Sequence, residues 1–477
     1  MILPPRRRVI VALILLALGI AAVRDFSRLG AALPWRTMDD FPDFYCAGWL
    51  LDRGSSPYTY EPLRSCEHRF QAAGTFRSAL FIQNRSVAVP APLPAYDFPP
   101  FMALANVPIK YARICYAAAI VISIALCVVA LGALSVPWDI GLAALALSAL
   151  YADLNTGQII SFALLALVLC GVAISRRKYW LAGILAVFSA IQPIAGVPVI
   201  LATFLFVPRT RPAVILTGSL FAVLAAGLVG QQGLLQYVTA VLPAQAASEV
   251  QFPFQYSLTY GLAFFGAPAP LALAAGTISY CALLVTALWL SPRVSQQLGK
   301  PELLVFIPAL CAVIGGTYLH PEELCLALPA LLELALSARG HARTALALSI
   351  CSIAIPWIII WGSKQLFLAA MLVCGTILFR LANRRAAAAC VCLIAATVYA
   401  IELHPPHLPV PQHAPAFAPS GLVQAEWRWY ANQRRTTDPL WFFIKIPVWA
   451  GLLVGVAAAV RFLGSRIRTQ PAAEERH

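Results

Sequence analysis

The chain has 477 residues, of which 60% are hydrophobic and only 11% are charged, and its mean hydropathy is +0.78. Soluble domains carry about 25% charged residues, so this chain lacks the polar surface that a water-soluble globule of its length needs. The formal net charge of +14 comes from short Lys and Arg clusters between apolar runs, a placement that indicates membrane topology rather than a nucleic-acid-binding surface.

The first element is an apolar run over Val9–Val23, preceded by a basic cluster at Arg6–Arg8. A cleavable signal peptide would show the same charge pattern, but no convincing small-residue cleavage site precedes Arg24. We therefore expect a signal anchor, in which residues 1–8 form a cytoplasmic basic N-terminus and residues 9–25 form the first transmembrane helix.

Residues 26–111 are polar, rich in Pro and aromatic residues, and contain no apolar run long enough to span a bilayer. Long loops are translocated largely regardless of their charge, so the Arg residues in this stretch do not argue against an outside location. We expect a large extracytoplasmic first loop. Its Cys46 and Cys66 would then face an oxidising compartment and could be bridged.

Apolar runs separated by basic clusters make up residues 112–463 and predict a multi-span domain. If the basic clusters are cytoplasmic, an even number of crossings separates each neighbouring pair. The stretch Tyr179–Val207 is too short for two full spans of about 20 residues, so we expect two short helices that meet at Gln192-Pro193. The chain as a whole is predicted to be an all-α polytopic membrane protein with roughly 12–14 transmembrane helices. We expect an outer loop with an interfacial helix at about 231–260 and a second outer loop at about 403–439. Residues 464–477 are expected to form a disordered cytoplasmic tail.

Four polar clusters interrupt this pattern, and the predicted topology places all of them on the extracytoplasmic side. The densest runs from Asp39 to Tyr45, where a carboxylate beside lipid and aromatic rings would be a strong proton acceptor. A solvated loop with helix-capping Asp residues is the alternative. The other three clusters suit a turn or a helix N-terminus as well as hydrogen bonding to sugar or phosphate. They lie at Tyr96–Pro100, Asp153–Gln158 and Thr317–Glu323.

The sequence resembles glycosyltransferase family 87, polytopic enzymes of the GT-C fold that use polyprenyl-phosphate sugars such as polyprenyl-phosphomannose. The resemblance covers most of the chain and rests on spaced motifs at Asp40-Phe41 with Phe44-Tyr45 and Ala47, Gly54 with Tyr58, Tyr96–Pro100, Gly157-Gln158, Ala182-Gly183 leading to Pro193, and Tyr318–Glu323. It implies a GT-C-type helix bundle that transfers a hexose, with mannose favoured, at the extracytoplasmic face by inverting single displacement. The chain departs from the family pattern at Gln192, where a Lys is often found.

The resemblance also implies that the carboxylate after the first span is the catalytic base. That carboxylate corresponds to Asp40, and Asp43 is the second choice. The cations and hydrogen-bond donors expected to bind the donor phosphate are His320, Arg64, Arg69, Gln158 and Asn155. The residues expected to contact sugar or acceptor are Tyr45, Tyr58, Tyr96 and Glu323.

No metal-ligand spacing stands out in the sequence, and we expect neither a metal nor a cofactor. The expected partners are a polyprenyl-phosphate-linked sugar donor, a glycan or glycolipid acceptor and membrane lipid, without nucleic acid, and the expected location is a bacterial-type plasma (inner) membrane. A lipid or solute transporter and a catalytically inactive scaffold of the same fold are the alternatives. A transporter would bury charge near the bilayer midplane, where the main candidate in this chain is Glu333.

Overall fold

The computed structural model describes residues 38, 40–70, 91–360, 364–382 and 438–464, with a few single helical positions between 385 and 403. Throughout these ranges the regular structure is helical, and no strand occurs in them, which confirms the predicted all-α class. Asp39, the predicted first transmembrane helix at 9–25, most of the predicted outer loop at 403–439 and nearly all of the predicted tail lie outside the described residues.

We number the helices in chain order. The first ten are α1 (Phe41–Leu51), α2 (Tyr60–Phe70), α3 (Pro99–Ala105), α4 (Ile109–Gly132), α5 (Trp138–Leu145), α6 (Ala152–Thr156), α7 (Ile160–Ser175), α8 (Tyr179–Phe188), α9 (Pro193–Phe206) and α10 (Arg211–Gln236). The remainder are α11 (Leu242–Glu249), α12 (Leu258–Phe264), α13 (Ala269–Leu298), α14 (Leu303–Gly315), α15 (Leu328–Ser337), α16 (Gly340–Ala354), α17 (Trp357–Ile360), α18 (Lys364–Leu381), α19 (Leu440–Phe443) and α20 (Ile446–Gly464).

Among the described residues, four helical segments are long and apolar enough to cross a membrane: Ile109–Gly132, Pro208–Glu249, Ala269–Leu298 and Leu440–Leu463. The 24 residues of α4 extend about 36 Å, more than the roughly 30 Å of hydrocarbon in a bilayer. Helices suit this solvent because they satisfy every backbone hydrogen bond within one segment. Shorter apolar helices of 10–17 residues accompany them: α7, Tyr179–Ile191, α9, α14 and Leu366–Leu381 of α18. The chain is therefore a polytopic membrane protein.

The broken helix predicted between Tyr179 and Val207 is present. Two short apolar helical segments, Tyr179–Ile191 and Pro193–Phe206, meet at Gln192, whose backbone is extended at φ −112° and ψ 97°. Pro193 has no N–H group and begins α9, a position that needs none. The two segments approach closely, since a Cβ added to Gly196 would lie 2.3 Å from the Cα of Ala190.

A second break lies at Gly230, whose φ of +64° interrupts α10. Helical structure then continues through a π-helical turn at Tyr237–Val241 to the end of α11 at Glu249. A helix within the predicted outer loop 231–260 is therefore present. Its exposed apolar side chains, Leu235 and Val238, suit a helix lying along a membrane surface.

Helices α14 and α15 form the centre of the bundle and are buried along almost their whole length. Small residues let neighbouring helices approach them, as at Gly171 of α7, where a Cβ would lie 2.4 Å from the ring of Phe306. Glu333 is fully buried at one end of this core and forms an ion pair with Lys300. That pairing places the charge near a predicted cytoplasmic loop.

Three contacts hold helix α1 in place. A Cβ at Gly48 would lie 2.4 Å from the carbonyl carbon of Phe101, so α1 and α3 pack backbone to backbone. A disulfide joins Cys46 of α1 to Cys66 of α2, as the sequence allowed. The hydroxyl of Tyr45 donates a 3.0 Å hydrogen bond to the carbonyl of Val107. These contacts fix the helix whose first residues carry the predicted base.

Candidate active site

Asp40 and Gln158, which are 118 positions apart in the chain, are in direct contact. The Gln158 side-chain amide donates a 2.5 Å hydrogen bond to Oδ2 of Asp40. The backbone N–H of Asp40 donates to the carbonyl of Thr156 at 2.8 Å. Gly157 makes this approach possible because its left-handed backbone, at φ +78°, ends α6 without a side chain. The structure thus brings together the predicted base and one predicted hydrogen-bond donor.

Asp43 and Asn155 lie on the two elements that carry this pair. Asp43 belongs to the first turn of α1, where a carboxylate also stabilises the positive end of the helix dipole. Asn155 lies two residues before Gly157 in α6. Both side chains are half-buried and both have interaction partners, and their catalytic and donor-binding roles stay predictions.

Tyr116 of α4 lies next to the Gln158 segment. Its hydroxyl donates a 2.9 Å hydrogen bond to the backbone carbonyl of Gln158 and lies within electrostatic range of Asp153, Asp40 and Asp97. Asp153 is fully buried, and its Oδ2 accepts a 2.6 Å hydrogen bond from the N–H of Ser161 at the start of α7. Burial raises the pKa of Asp153 to about 8, although the Ser161 N–H acts in the opposite direction.

His320 lies between two carboxylates contributed by different segments. Its Nε2 is 3.3 Å from Oε2 of Glu249 at the end of α11, and its Nδ1 is 3.6 Å from Oε1 of Glu322. Burial alone would lower the pKa of His320, but the charges of Glu249 and Glu322 outweigh it and hold that pKa well above its usual range. The two carboxylates therefore favour the protonated, positively charged imidazole. Gln255 supports the arrangement by donating a 2.8 Å hydrogen bond to Glu249.

Glu323 accepts hydrogen bonds on both carboxyl oxygens. Gln192, at the break between α8 and α9, donates to its Oε1, and the backbone N–H of His320 donates to its Oε2 at 2.8 Å. Burial raises the pKa of Glu323 to about 7, opposed mainly by the charge of His320. Gln192 is the position at which the sequence departs from the family pattern. Its hydrogen bond connects the break between α8 and α9 to the His320 segment.

A group of tyrosines surrounds Asp97 in the short helical turn Ala95–Asp97. Tyr96 donates a 2.9 Å hydrogen bond to the carbonyl of Ala190, and buried Tyr58 donates one of 3.0 Å to the carbonyl of Leu93. The hydroxyl of Tyr237 lies within electrostatic range of both tyrosines, of Asp97 and of Tyr318.

Hydrogen bonds link two of the clusters. Tyr96 donates to the carbonyl of Ala190, in the segment that ends at Gln192, and Gln192 donates to Glu323. Among the described contacts, only longer-range electrostatic interactions connect these residues with Asp40: the charge of Glu322 acts on Asp153, and Asp153 and Asp40 both act on Tyr116.

Arg64 and Arg69 lie on α2, which the disulfide holds against α1. The side chain of Arg64 is half-buried, whereas that of Arg69 is exposed. Their predicted contacts with the donor phosphate remain untested. The predicted sugar contact of Tyr45 is also untested; its hydroxyl lies within hydrogen-bonding distance of the backbone carbonyls of Ala105, at the end of α3, and Val107.

Sequence reasoning named Asp97 only as a member of the Tyr96–Pro100 cluster and did not single out Tyr116, Gln255 or Glu249. Tyr116 was hidden in an apolar run, and Asp97 was explained by the turn that precedes Pro99-Pro100. Glu249 carried a usable signal, because it is a carboxylate in a predicted outer segment followed by aromatic residues. In the parts of the chain that the structure describes, no group of three or more His, Cys, Asp or Glu side chains is arranged to hold a metal ion.

The family model described as glycosyltransferase family 87 matches residues 96–320. The matched range begins at Tyr96, includes Gln158 and Gln192, and ends at His320, whereas Asp40 precedes it. No curated protein and no solved structure matches the chain.

Proposed function

Since the match over residues 96–320 makes this chain a member of glycosyltransferase family 87, and hence a membrane glycosyltransferase, we propose that its donor is a polyprenyl-phosphate sugar. The transferred group is a hexose, with mannose favoured. The acceptor is a hydroxyl group of a glycan or glycolipid, and the anomeric configuration inverts.

The contact between Asp40 and Gln158 carries this proposal. A general base needs a fixed orientation, and the Gln158 amide together with the Thr156 carbonyl holds both the side chain and the backbone of Asp40. The aromatic rings of Phe41 and Tyr116, 5.1 Å apart between centroids, provide an apolar wall beside it.

The proposed reaction is a single displacement. Asp40 takes the proton of the acceptor hydroxyl while the acceptor oxygen forms a bond to the anomeric carbon of the hexose. The bond between that carbon and the phosphate oxygen breaks, and its electron pair leaves with the polyprenyl phosphate. Attack from the face opposite the leaving group inverts the configuration.

The leaving phosphate gains negative charge, which cations and hydrogen-bond donors must stabilise. His320 supports this role because Glu249 and Glu322 keep it protonated. Those carboxylates also offset its charge, so we propose that Arg64 or Arg69 of α2 shares the task. Gln192 is a neutral donor that is already bound to Glu323, so it does not supply the missing cation.

We further propose that the site faces the extracytoplasmic side of a plasma (inner) membrane. The disulfide between Cys46 and Cys66 supports this orientation, because such bonds persist in oxidising compartments and are rare in the cytosol. The exposed basic residues Arg176, Arg177 and Lys178, between α7 and α8, support a cytoplasmic location for the other side.

The test is transfer from labelled polyprenyl-phosphomannose in vesicles that contain the purified protein and a membrane-extract acceptor. Asp40→Asn keeps the size of the side chain and should lower the rate by about 10²–10⁴-fold, the usual contribution of a general base. Asp52→Asn, an exposed residue at the other end of α1, is the matched control and should leave the rate unchanged.

Full activity of both Asp40→Asn and Asp40→Ala would refute the assignment of the base. Absence of transfer from every polyprenyl-phosphate hexose would refute the donor class and favour the inactive scaffold. Movement of labelled lipid across the vesicle membrane without transfer would favour a transporter. The configuration of the product, read by proton NMR, tests inversion.

A further inference from the structure

Two turns of the chain carry five exposed cations. Arg176, Arg177 and Lys178 form the turn between α7 and α8, and Arg209 and Arg211 lie where α9 passes into α10. We call these five residues the basic cluster. All five side chains are accessible from outside the protein.

The two turns are adjacent because α8 and α10 pack closely. A Cβ added to Gly183 of α8 would lie 2.7 Å from the carbonyl oxygen of Thr210 and 2.8 Å from Cβ of Ala213. The guanidinium group of Arg209 lies 5.5 Å from the ring centroid of Tyr179, the first residue of α8, a distance at which cation and ring attract each other. The basic cluster is therefore one patch built from two turns.

The cations of the basic cluster are oriented but not neutralised. Nε of Arg211 donates a 2.9 Å hydrogen bond to the carbonyl of Phe204, and its guanidinium group lies 5.4 Å from the centroid of that ring. None of the five forms an ion pair with a described residue. The nearby carboxyl group of Glu302 is engaged with Ser175 and with the charge of Lys300 instead. Like charges on one patch repel one another, so the patch favours an anionic partner.

Exposed apolar side chains lie next to the basic cluster on the same three helices. Each is at least 40% exposed: Trp180, Leu181, Leu205, Phe206, Ile215 and Leu216. In a bilayer such a surface faces acyl chains, and cations at the ends of the helices lie at the level of the headgroups. A lipid with a negatively charged headgroup matches both the charge and the apolar surface, whereas a soluble anion matches the charge alone.

The basic cluster is separate from the candidate active site. Helix α9 begins at Pro193, next to Gln192, and ends at Phe206, shortly before Arg209. Its 14 residues extend about 21 Å. The basic cluster therefore lies at the far end of the broken helix from Gln192 and from the groups proposed to bind the donor.

We propose that the basic cluster binds the headgroup of an anionic glycerophospholipid, whose acyl chains lie against the neighbouring apolar surface. Guanidinium groups donate two parallel hydrogen bonds to one phosphate, and the rings of Tyr179 and Phe204 hold Arg209 and Arg211 in place for this contact. Cardiolipin carries two phosphate groups and satisfies more of the five cations than phosphatidylglycerol, which carries one. The inference does not depend on the reaction that the protein catalyses.

The experiment titrates cardiolipin, phosphatidylglycerol and phosphatidylcholine into the full chain in an uncharged detergent and measures each dissociation constant by native mass spectrometry. We expect wild type to bind cardiolipin most tightly and phosphatidylcholine least. Each cation near a membrane surface contributes about fivefold in affinity. Arg209→Gln together with Arg211→Gln should therefore weaken cardiolipin binding by roughly 25-fold, and added salt should narrow the difference from wild type.

Matched variants separate the loss of charge from a loss of folding. Arg209→Lys together with Arg211→Lys keeps both charges and should retain most of the affinity. Arg176→Gln together with Arg177→Gln removes the same charge from the other turn and should weaken binding to a similar extent, so a folding defect in either Gln pair leaves the other as the test. Melting temperatures without lipid identify such a defect.

The control removes two exposed cations from other turns. Arg293 stacks on Trp289 at 4.7 Å, much as Arg209 stacks on Tyr179, but it lies outside the basic cluster. Arg293→Gln together with Arg339→Gln should leave cardiolipin affinity unchanged.

Three results would overturn the inference. The first is an equal loss of affinity in the control and in the two Gln pairs. The second is binding of phosphatidylcholine as tight as that of cardiolipin, or no retention of cardiolipin by wild type. The third is displacement of cardiolipin by soluble glycerol phosphate as readily as by phosphatidylglycerol, which would indicate an anion site that needs no lipid.

Discussion

Gly157 offers a sharp test of how the proposed base is positioned. It lies between Thr156 and Gln158, the two residues that hold Asp40. Its φ is +78°, and a Cβ at this position would lie 3.0 Å from Cβ of Phe41 and 3.1 Å from Cβ of Met38. The replacement Gly157→Ala therefore presses directly on the start of α1.

Gly157→Ala lowers the free energy of unfolding in two ways that can be measured separately. The left-handed backbone costs an alanine about 1–2 kcal/mol, and crowding in a packed site costs about 1–3 kcal/mol more. Relief requires α1 to move by a few tenths of an ångström, which carries Asp40 with it. A misplacement of about 1 Å can cost about 10²-fold in rate, so we expect Gly157→Ala to lose roughly tenfold.

Gly299, at the end of α13, is the matched control. Its φ is +64°, close to that of Gly157, but no atom lies within 4 Å of an added Cβ. Gly299→Ala should therefore show the backbone cost alone, with a small fall in melting temperature and full transfer activity. The assays are thermal melting in detergent and the initial rate of sugar transfer. Equal behaviour of the two variants would refute the argument that Gly157 positions Asp40.

Three further predictions follow from other contacts. Replacing both Cys46 and Cys66 with Ser should cost about 3 kcal/mol, the entropy of an open 20-residue loop, and should abolish the effect of dithiothreitol on melting; a persistent effect would implicate another disulfide. Burial raises the pKa of Glu323 from 4.5 to about 7, so its contribution to stability is present at low pH and is lost as pH rises through 7. The melting temperature should then fall between pH 5 and pH 8 less steeply in Glu323→Gln than in wild type, and identical slopes would contradict this sign. Glu333→Leu should cost about 3–5 kcal/mol because it leaves the partly buried Lys300 unpaired, and adding Lys300→Met should recover most of the loss in the same melting assay.

Much of the architecture was predictable because it depends on local composition. A chain with 11% charged residues can fold only where lipid replaces water around it. Helices suit that environment because they satisfy all backbone hydrogen bonds within one segment. The break at Gln192-Pro193 was equally local, since proline lacks the N–H group that a continuous helix would need. The number of spans stays a prediction, because the structure describes only part of the chain.

The site was predictable only in outline. The motif around Asp40 and the segment ending at Glu323 were identifiable as clusters of ionisable residues beside apolar runs. The contacts that these residues make were not predictable. Gln158, which was predicted for the same site, and Glu249 and Gln192 lie on other segments and contact them only after the helices pack. Hydropathy records how deeply a residue is buried and carries no information about which polar group it meets.

The sequence by itself determined that lipid surrounds much of this protein, that its fold is helical and which residue types are available for chemistry. The tertiary structure decided which of them meet: it set the Gln158 amide on Asp40, enclosed His320 between two carboxylates and left Asp97 without a partner among the described residues. The physical reason is that a hydrogen bond requires atoms within about 3 Å of each other, and such distances between remote segments are fixed by helix packing alone.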